Sequence, residues 1–230
     1  MVIIENRLIT RPGQLTAQGS NAADGIGFCA DTEVLVRNCV VDFSNLDLEE
    51  QDEAASMTWG AHGIFENCTL RGAVKLFLCG SGDAHKADVE NGRRVTLRGC
   101  TLEHFGRRGP EVQAGMEVRL ENCVIRNWGE PDLFTSRIFG AWAHNGGRIT
   151  AINCRFEQAA FWRGWRVMLA DLCGHIGQAW NDEGVRGLLR WKTYLPGVCR
   201  GLTAGPGGTV TAYGCTKNRW WIRIENNTGD

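Results

Sequence analysis

Four charged side chains in the first half of the chain could act together on an acidic ligand. Asp24 and Asp52 are carboxylates, Lys75 and Arg108 are cations, and we predict that Pro110 fixes a turn around Arg108 in the stretch HFGRRGPEVQAG. Two carboxylates held close together repel one another unless a cation lies between them, and their hard oxygens suit Ca²⁺. The alternative is that all four are ordinary solvated loop charges.

A cysteine repeat identifies the elements that would position these side chains. Six cysteines share one local pattern, seen as RVTLRGCTL around Cys100 and EVRLENCVI around Cys123, and they recur at similar intervals except for the last, which spans nearly two periods. In most copies apolar residues alternate with polar ones before the cysteine, which predicts a strand with one buried face. Asn or Gly precedes each cysteine, and both tolerate the left-handed backbone of a corner. The six are Cys39, Cys68, Cys100, Cys123, Cys154 and Cys215.

Strands joined by corners at a regular period predict a solenoid. A single strand, corner and strand cannot bury its inner face alone, whereas stacked copies can. We therefore predict an all-β fold, a right-handed parallel β-helix of about seven or eight coils that forms a single domain over residues 1–230. The cysteines would form an internal ladder of free thiols, because coils about 4.8 Å apart allow a disulfide only with unusual geometry.

Two parts of the chain depart from the repeat. The first residues, MVIIENRLITRPG, already have the pattern of a β-strand. This predicts that the chain lacks N-terminal coils of the β-helix. The pattern is lost over residues 159–206, for which we predict an irregular segment packed on the helix.

The cysteine repeat also gives each charged residue a position within its coil. Asp24 precedes Cys39 by nearly the same separation as Asp52 precedes Cys68. In the same way, Lys75 and Arg108 follow the cysteines of their coils at nearly equal separations. A β-helix stacks equal positions of successive coils above one another. We therefore expect Asp24 beside Asp52 and Lys75 beside Arg108 along one side of the helix.

Bulk charge and hydropathy limit the classes of partner. Lys and Arg total 25 against 26 Asp and Glu, so the net charge favours neither nucleic acid nor an anionic membrane. No apolar run approaches the roughly 18 residues of a spanning helix, which predicts no membrane insertion. An acidic ligand would therefore have to be bound by local charges. We expect the protein to be a monomer.

Five sequence stretches resemble the coils of family 1 pectate lyases, in the family's order. DGIGFCADTEVLVRNCVVDFSN resembles the coil in which Asp24 falls on a calcium-binding Asp, and DEAASMTWGAHGIFENCTL resembles the next, whose first acidic residue is Asp52. GAVKLFLCGSGD is similar to the coil with the substrate-binding lysine, here Lys75. VTLRGCTLEHFGRRGPEVQAGMEVRLENCVI matches the coil with Arg-x-Pro, here Arg108 and Pro110, and IFGAWAHNGGRITAINCRFEQ resembles the one that follows. The resemblance covers residues 1 to about 158.

The resemblance implies a secreted polysaccharide lyase that cleaves pectate, or polygalacturonate, by calcium-assisted β-elimination. Ca²⁺ bridging Asp24, Asp52 and the substrate carboxylate would stabilise the negative charge that develops when the C5 proton leaves. Lys75 would bind the substrate and add a charge-assisted hydrogen bond. Arg108 would bind the substrate and take the proton.

Other positions extend this interpretation or leave alternatives open. Trp59 and Trp142 lie on coils near the predicted site and could stack on sugar rings. The chain departs from the family at Ala22, Ser56 and Gln113, where the family often has two Asp residues and an Arg. A non-catalytic β-helix that binds polysaccharide, like an adhesin or phage-spike segment, and a metal-independent pectin lyase are therefore alternatives. A polygalacturonase-type hydrolase is disfavoured, because the chain has no adjacent Asp-Asp pair.

Overall fold

The computed structural model describes residues 1–16, 24–29, 32–46, 53–58, 60–80, 94–129, 138–158 and 199–227. Within these ranges the regular structure consists of strands, arranged in three sheets. Sheet A contains, in spatial order, β1 (Val2–Glu5), β5 (Glu33–Arg37), β8 (His62–Glu66), β11 (Arg94–Arg98), β14 (Glu117–Glu121), β17 (Arg148–Ile152) and β20 (Thr209–Tyr213).

The other two sheets have the same stacked order. Sheet B contains β2 (Leu8–Ile9), β6 (Val40–Asp42), β9 (Thr69–Arg71), β12 (Thr101–Phe105), β15 (Val124–Trp128), β18 (Arg155–Glu157) and β21 (Thr216–Lys217). Sheet C contains β3 (Leu15–Thr16), β4 (Asp24–Phe28), β7 (Glu53–Met57), β10 (Lys75–Cys79), β13 (Arg108–Val112), β16 (Ala141–Ala143), β19 (Cys199–Ala204) and β22 (Ile222–Ile224).

The order of the strands along the chain makes the three sheets into one solenoid. From β4 to β21 the described strands occur in sheet C, then sheet A, then sheet B, six times in succession. Neighbouring strands pair in parallel, as in β5 with β8 and β10 with β13. The fold is a right-handed parallel β-helix, which confirms the fold predicted from the cysteine repeat.

The residue before each ladder cysteine forms the corner between sheets A and B. Asn38, Asn67 and Asn122 have φ of 53°, 52° and 53°, and Gly99 has φ of 62°. Asn and Gly are the residues that adopt this left-handed conformation at least cost. The backbone corner inferred from the sequence is therefore confirmed.

The cysteines line the interior as free thiols. Cys68 Sγ donates to Val36 O of the preceding coil at 3.6 Å, and Cys100 Sγ donates to Phe65 O at 3.4 Å. Each acceptor occupies the same position relative to the cysteine of its own coil. Five ladder cysteines are buried and Cys215 is half-buried, and all six are free, as predicted.

Aromatic and aliphatic side chains fill the space between the three sheets. The rings of Phe65 and Phe77 meet edge to face with centroids 5.1 Å apart. Trp128, Phe43 and Phe105 are among the largest fully buried side chains. No helix in the described ranges is long and apolar enough to cross a membrane.

The end of the segment predicted to be irregular is regular. Cys199–Ala204 forms β19, which pairs with β16 and β22, so the prediction for residues 159–206 is wrong there. The cysteine pattern marks the corner between sheets A and B, and it therefore gives no signal for a strand of sheet C. Residues 159–198 lie outside the described ranges.

Candidate functional site

A row of four charged residues crosses the centre of sheet C. Asp24, Glu53, Lys75 and Arg108 are the first residues of β4, β7, β10 and β13, and each is the register partner of the next. Adjacent strands lie about 4.8 Å apart, so neighbouring side chains of the row are within reach of one another. The prediction that Lys75 lies beside Arg108 is confirmed. We call these four residues the charge row.

The second carboxylate of the charge row is Glu53, where we predicted Asp52. Glu53 precedes Cys68 by the same separation as Asp24 precedes Cys39, whereas Asp52 comes one position earlier. Strand register is specific to the single residue, because a shift by one moves a side chain to the other face of the sheet. The partner of Asp24 is therefore corrected to Glu53. Asp52 itself lies outside the described residues.

Both carboxylates of the charge row are buried and have polar contacts. Lys75 Nζ lies 2.7 Å from Glu53 Oε1 in an ion pair. Ser56 Oγ donates a hydrogen bond to Asp24 Oδ2, and Asp24 is 0% exposed. A buried carboxylate without such contacts would be costly. Ser56, the position of a departure from the pectate lyase pattern, therefore stabilises the carboxylate it lies beside.

Calcium needs more oxygen ligands than the described part of the charge row offers. Ca²⁺ binds about six to eight oxygens, whereas the row supplies two carboxylates and the hydroxyl of Ser56. Glu53 already forms its ion pair with Lys75. Within the described ranges, no group of three or more His, Cys, Asp or Glu is arranged to hold a metal ion. These residues alone therefore do not fit the predicted Ca²⁺, and the other predicted ligand, Asp52, lies outside the described residues.

A second set of polar residues meets the charge row at Arg108. Arg108 Nη1 forms an ion pair with Glu111 Oε1, and His144 Nε2 lies 3.0 Å from the same oxygen. Burial alone would raise the pKa of the Glu111 carboxyl. The hydrogen bonds from His144 and Arg108, with the charges of Arg108 and Lys75, outweigh burial and lower this pKa to about 2. Glu111 is therefore ionised at neutral pH, between two nitrogen donors.

Trp142 supports this set from β16. Its ring is stacked with His144 at 3.8 Å between centroids and with Phe139 at 4.8 Å. The guanidinium carbon of Arg108 lies 4.6 Å from the centre of the Trp142 ring, in cation–π contact. Trp142 is only 7% exposed. It therefore orients Arg108 and His144 in this structure, which differs from the expectation of an open platform for a sugar ring. Trp59 lies outside the described residues.

The close packing of backbones fixes the position of Arg108. A Cβ atom added to Gly109, the next residue, would lie 1.9 Å from Gly140 O. Only glycine allows this approach between β13 and the chain before β16. Arg108 and Pro110 both lie in β13 (Arg108–Val112), so the turn predicted around them is wrong. Gln113, where the family often has a second arginine, donates to Gly80 O at 3.3 Å and so binds the backbone of the neighbouring coil.

Charged rows on the other two sheets follow a different rule. On sheet A, register partners alternate in sign along the row Glu5, Arg37, Glu66, Arg98 and Glu121. On sheet B they alternate along the row Asp42, Arg71, Glu103, Arg126 and Glu157. Alternation places each cation between two anions, as Arg71 lies between carboxylates at 2.6 and 3.8 Å. Opposite charges side by side stabilise a sheet, whereas like charges destabilise it.

The charge row of sheet C instead keeps like charges together. Its two carboxylates, Asp24 and Glu53, are neighbours, and its two cations, Lys75 and Arg108, are neighbours. Its cations are also less exposed than those of the alternating rows: the side chain of Arg108 is 13% exposed, against 41% for Arg71. Like charges side by side are unfavourable for the stability of a sheet, so the charge row differs in this respect from the rows of sheets A and B.

Sequence reasoning found Asp24, Lys75 and Arg108 but missed Glu111 and His144. The strands of sheet C do not alternate regularly, since the partly exposed positions of β10 are its first and fourth residues. Residues three positions apart on these strands can therefore lie on the same face of sheet C, as the ion pair between Arg108 and Glu111 shows. The signal that could have identified Glu53 is its separation from the cysteine, which equals that of Asp24.

Comparison with family models, curated proteins and solved structures gives no match to this chain, so the resemblance to pectate lyases depends on the sequence stretches alone.

Proposed function

We propose that the charge row binds an acidic polysaccharide and cleaves it by β-elimination. The observation that carries this proposal is the pairing of Lys75 with Arg108 in a row that does not alternate in sign. Two adjacent cations of low exposure attract a carboxylate more strongly than solvated ones, because the local dielectric constant is lower. Polyuronates such as pectate present a carboxylate on each sugar, and they are the substrates that the sequence resemblance implies.

The reaction needs a site that stabilises negative charge. The proton on C5 of a uronate is too weakly acidic to leave unless the neighbouring carboxylate is stabilised as charge develops on it. Lys75 and Arg108 supply fixed positive charge at adjacent positions, and preorganised donors of this kind are effective in a site that excludes water. Glu53 and Glu111 hold these cations in place through their ion pairs. Calcium at Asp24 and Asp52 stays a prediction, and no step here depends on it.

Ultraviolet absorbance tests the proposal, because elimination creates a C4–C5 double bond conjugated with the carboxylate. Polygalacturonate and methylated pectin are each incubated with the wild type, with added calcium and with a chelator. We expect an absorbance rise, and we expect Lys75→Met to slow it by about 100-fold, as for loss of one charge-stabilising donor. Arg126→Met, a cation of the alternating row on sheet B, serves as the matched control and should keep the wild-type rate.

The choice of substrate and the presence of calcium or chelator distinguish a calcium-dependent lyase from a metal-independent one. A rise that needs calcium supports the predicted metal site, and a rise with chelator on methylated pectin supports the metal-independent alternative. No rise with either substrate in either condition contradicts a pectate or pectin lyase. The expectations of a secreted monomer without nucleic-acid or membrane partners stay predictions.

A non-catalytic polysaccharide-binding role is the second candidate. The ion pair between Arg108 and Glu111 favours it, because a carboxylate partner keeps a guanidinium charged and suited to anchoring an anion. Affinity electrophoresis in a gel that contains polygalacturonate detects such binding. Retardation of the wild type without any unsaturated product would support the binding role over the lyase.

A further inference from the structure

We propose that His144, oriented by Glu111, is the proton acceptor of this elimination, in place of Arg108. The inference rests on the proposed function and names the base of the same site. It is carried by the convergence of Arg108 and His144 on one oxygen of Glu111.

The contact with Glu111 determines which nitrogen of His144 is free to accept a proton. The Glu111 carboxylate is ionised, so it only accepts hydrogen bonds. His144 Nε2, 3.0 Å from Glu111 Oε1, must therefore carry the hydrogen and donate it. In a neutral imidazole the other nitrogen, Nδ1, then has the free lone pair. A carboxylate that fixes the tautomer of a histidine is the arrangement that prepares such a base for catalysis.

The ring of His144 is held from a second direction. It is stacked with the Trp142 ring at 3.8 Å between centroids and an interplanar angle of 15°. The hydrogen bond to Glu111 acts in the plane of the imidazole, and the stacking acts on its face. Together they fix the orientation of Nδ1. The side chain of His144 is 11% exposed, close to the 13% of Arg108.

The cations of the same face are poorly suited to accept a proton. Arg108 is ion-paired with Glu111, and Lys75 is ion-paired with Glu53, so each cation already has a carboxylate partner. An arginine also stays protonated in proteins over the working pH range. Histidine is the side-chain type that exchanges a proton between about pH 5 and pH 8. This assigns charge stabilisation to Lys75 and Arg108 and proton transfer to His144.

The proposed step balances without a further reactant. Nδ1 of His144 takes the proton from C5 of the uronate, and the electron pair of that C–H bond forms the C4–C5 double bond. The bond from C4 to the glycosidic oxygen breaks, and this oxygen takes a proton from solvent. The imidazolium returns its proton to solvent. No net water is added to the chain.

Substitution of His144 with imidazole rescue tests the assignment. His144→Ala should lower the rate of formation of unsaturated product by about 100-fold to 10000-fold, and added imidazole should restore part of it. His62→Ala, on sheet A, is the matched control and should keep the wild-type rate. Glu111→Gln, which affects the positioning of the histidine, should lower kcat more than it changes KM. Circular dichroism and retardation by polygalacturonate check that each variant folds and binds.

The pH dependence of the wild type gives a test that needs no variant. Histidine as a residue type exchanges a proton near neutral pH, whereas arginine stays protonated there. The two assignments therefore predict different pH profiles of kcat/KM, and an arginine base predicts a rise only in alkaline solution. The charged group in contact with His144 is Glu111 on β13. Glu111 itself interacts with Arg108 on β13 and Lys75 on β10, and Arg200 of β19 lies over Phe139, whose ring is stacked with Trp142.

Three outcomes would overturn the assignment. Wild-type rates in His144→Ala, with Arg108→Lys inactive, would make Arg108 the base while leaving the lyase proposal intact. A rate of the wild type that rises only in alkaline solution would do the same. If the wild type forms no unsaturated product at all, the lyase proposal fails and the assignment to His144 fails with it.

Discussion

Replacement of Glu111 by Gln should destabilise the protein in a manner that depends on pH. Glu111 is buried, with its side chain 5% exposed, and accepts from both Arg108 and His144. Its pKa falls from an ordinary value of 4.5 to about 2 in the folded protein. At about 1.4 kcal/mol for each pKa unit, this difference corresponds to about 3 kcal/mol of folding stability. Loss of one partner from a buried ion pair costs a similar amount, about 3 to 5 kcal/mol.

The direction of the pH effect follows from proton linkage. A carboxyl whose pKa is lowered by folding stabilises the protein above its unfolded pKa, and the stabilisation is lost as the pH falls through the folded pKa. The variant has no carboxyl at this position. The difference in unfolding free energy between wild type and Glu111→Gln should therefore be about 3 kcal/mol at pH 7 and only about 1 kcal/mol at pH 3.

Urea unfolding followed by circular dichroism at several pH values measures this difference. The other carboxyls are common to both proteins, so most of their contribution cancels in the comparison. Glu66→Gln is the matched control, because Glu66 lies 3.7 Å from Arg98 in an alternating row and is 32% exposed. It should cost less than about 1 kcal/mol at any pH. A Glu111→Gln difference that is equal at pH 7 and pH 3 would refute the description of Glu111 as a buried, ionised partner.

Three further predictions concern the scaffold. Asn122→Ala should cost about 1 to 2 kcal/mol because its φ is 53°, whereas Asn122→Gly should be nearly neutral; equal melting temperatures for the two variants would contradict this. Gly109→Ala should lower the melting temperature strongly, since its Cβ would lie 1.9 Å from Gly140 O, and an unchanged melting curve would show that the backbones are not in such contact. The thiol of Cys100 should resist alkylation in the native protein and react in denaturant without reductant, and a failure to react there would reveal a disulfide.

Local chemistry explains why the fold could be predicted from the sequence. The left-handed corner depends on a single Asn or Gly, and the small buried side chain after it depends on a single cysteine. Because this pair of residues recurs along the chain, the sequence pattern identifies the coils. Asn122 and Cys123 illustrate this, with a φ of 53° at the first and complete burial of the second. The same repeat correctly brought Lys75 beside Arg108.

The contacts around the charge row could not be predicted in the same way. The sequence predicted the position of the carboxylate on β7 only to within one residue. The strand register shows that this carboxylate is Glu53, and Asp52 is one residue earlier. Glu111 and His144 were missed because they meet between β13 and the residue that follows β16, on neighbouring coils that are far apart in sequence. Such contacts depend on which face of the sheet each side chain occupies. The regular two-residue alternation of buried and exposed side chains does not describe the strands of sheet C.

Digestion of polygalacturonate in heavy-oxygen water, followed by mass spectrometry, tests the proposed elimination most directly. Elimination breaks the C4–O bond without adding water, so the new non-reducing end is unsaturated. Hydrolysis adds one water and labels a product with the heavy oxygen at the moment of cleavage. We predict fragments whose new ends are unsaturated and unlabelled when products are analysed before exchange at the reducing end. Saturated, labelled fragments, or an intact polymer, would contradict β-elimination by the charge row.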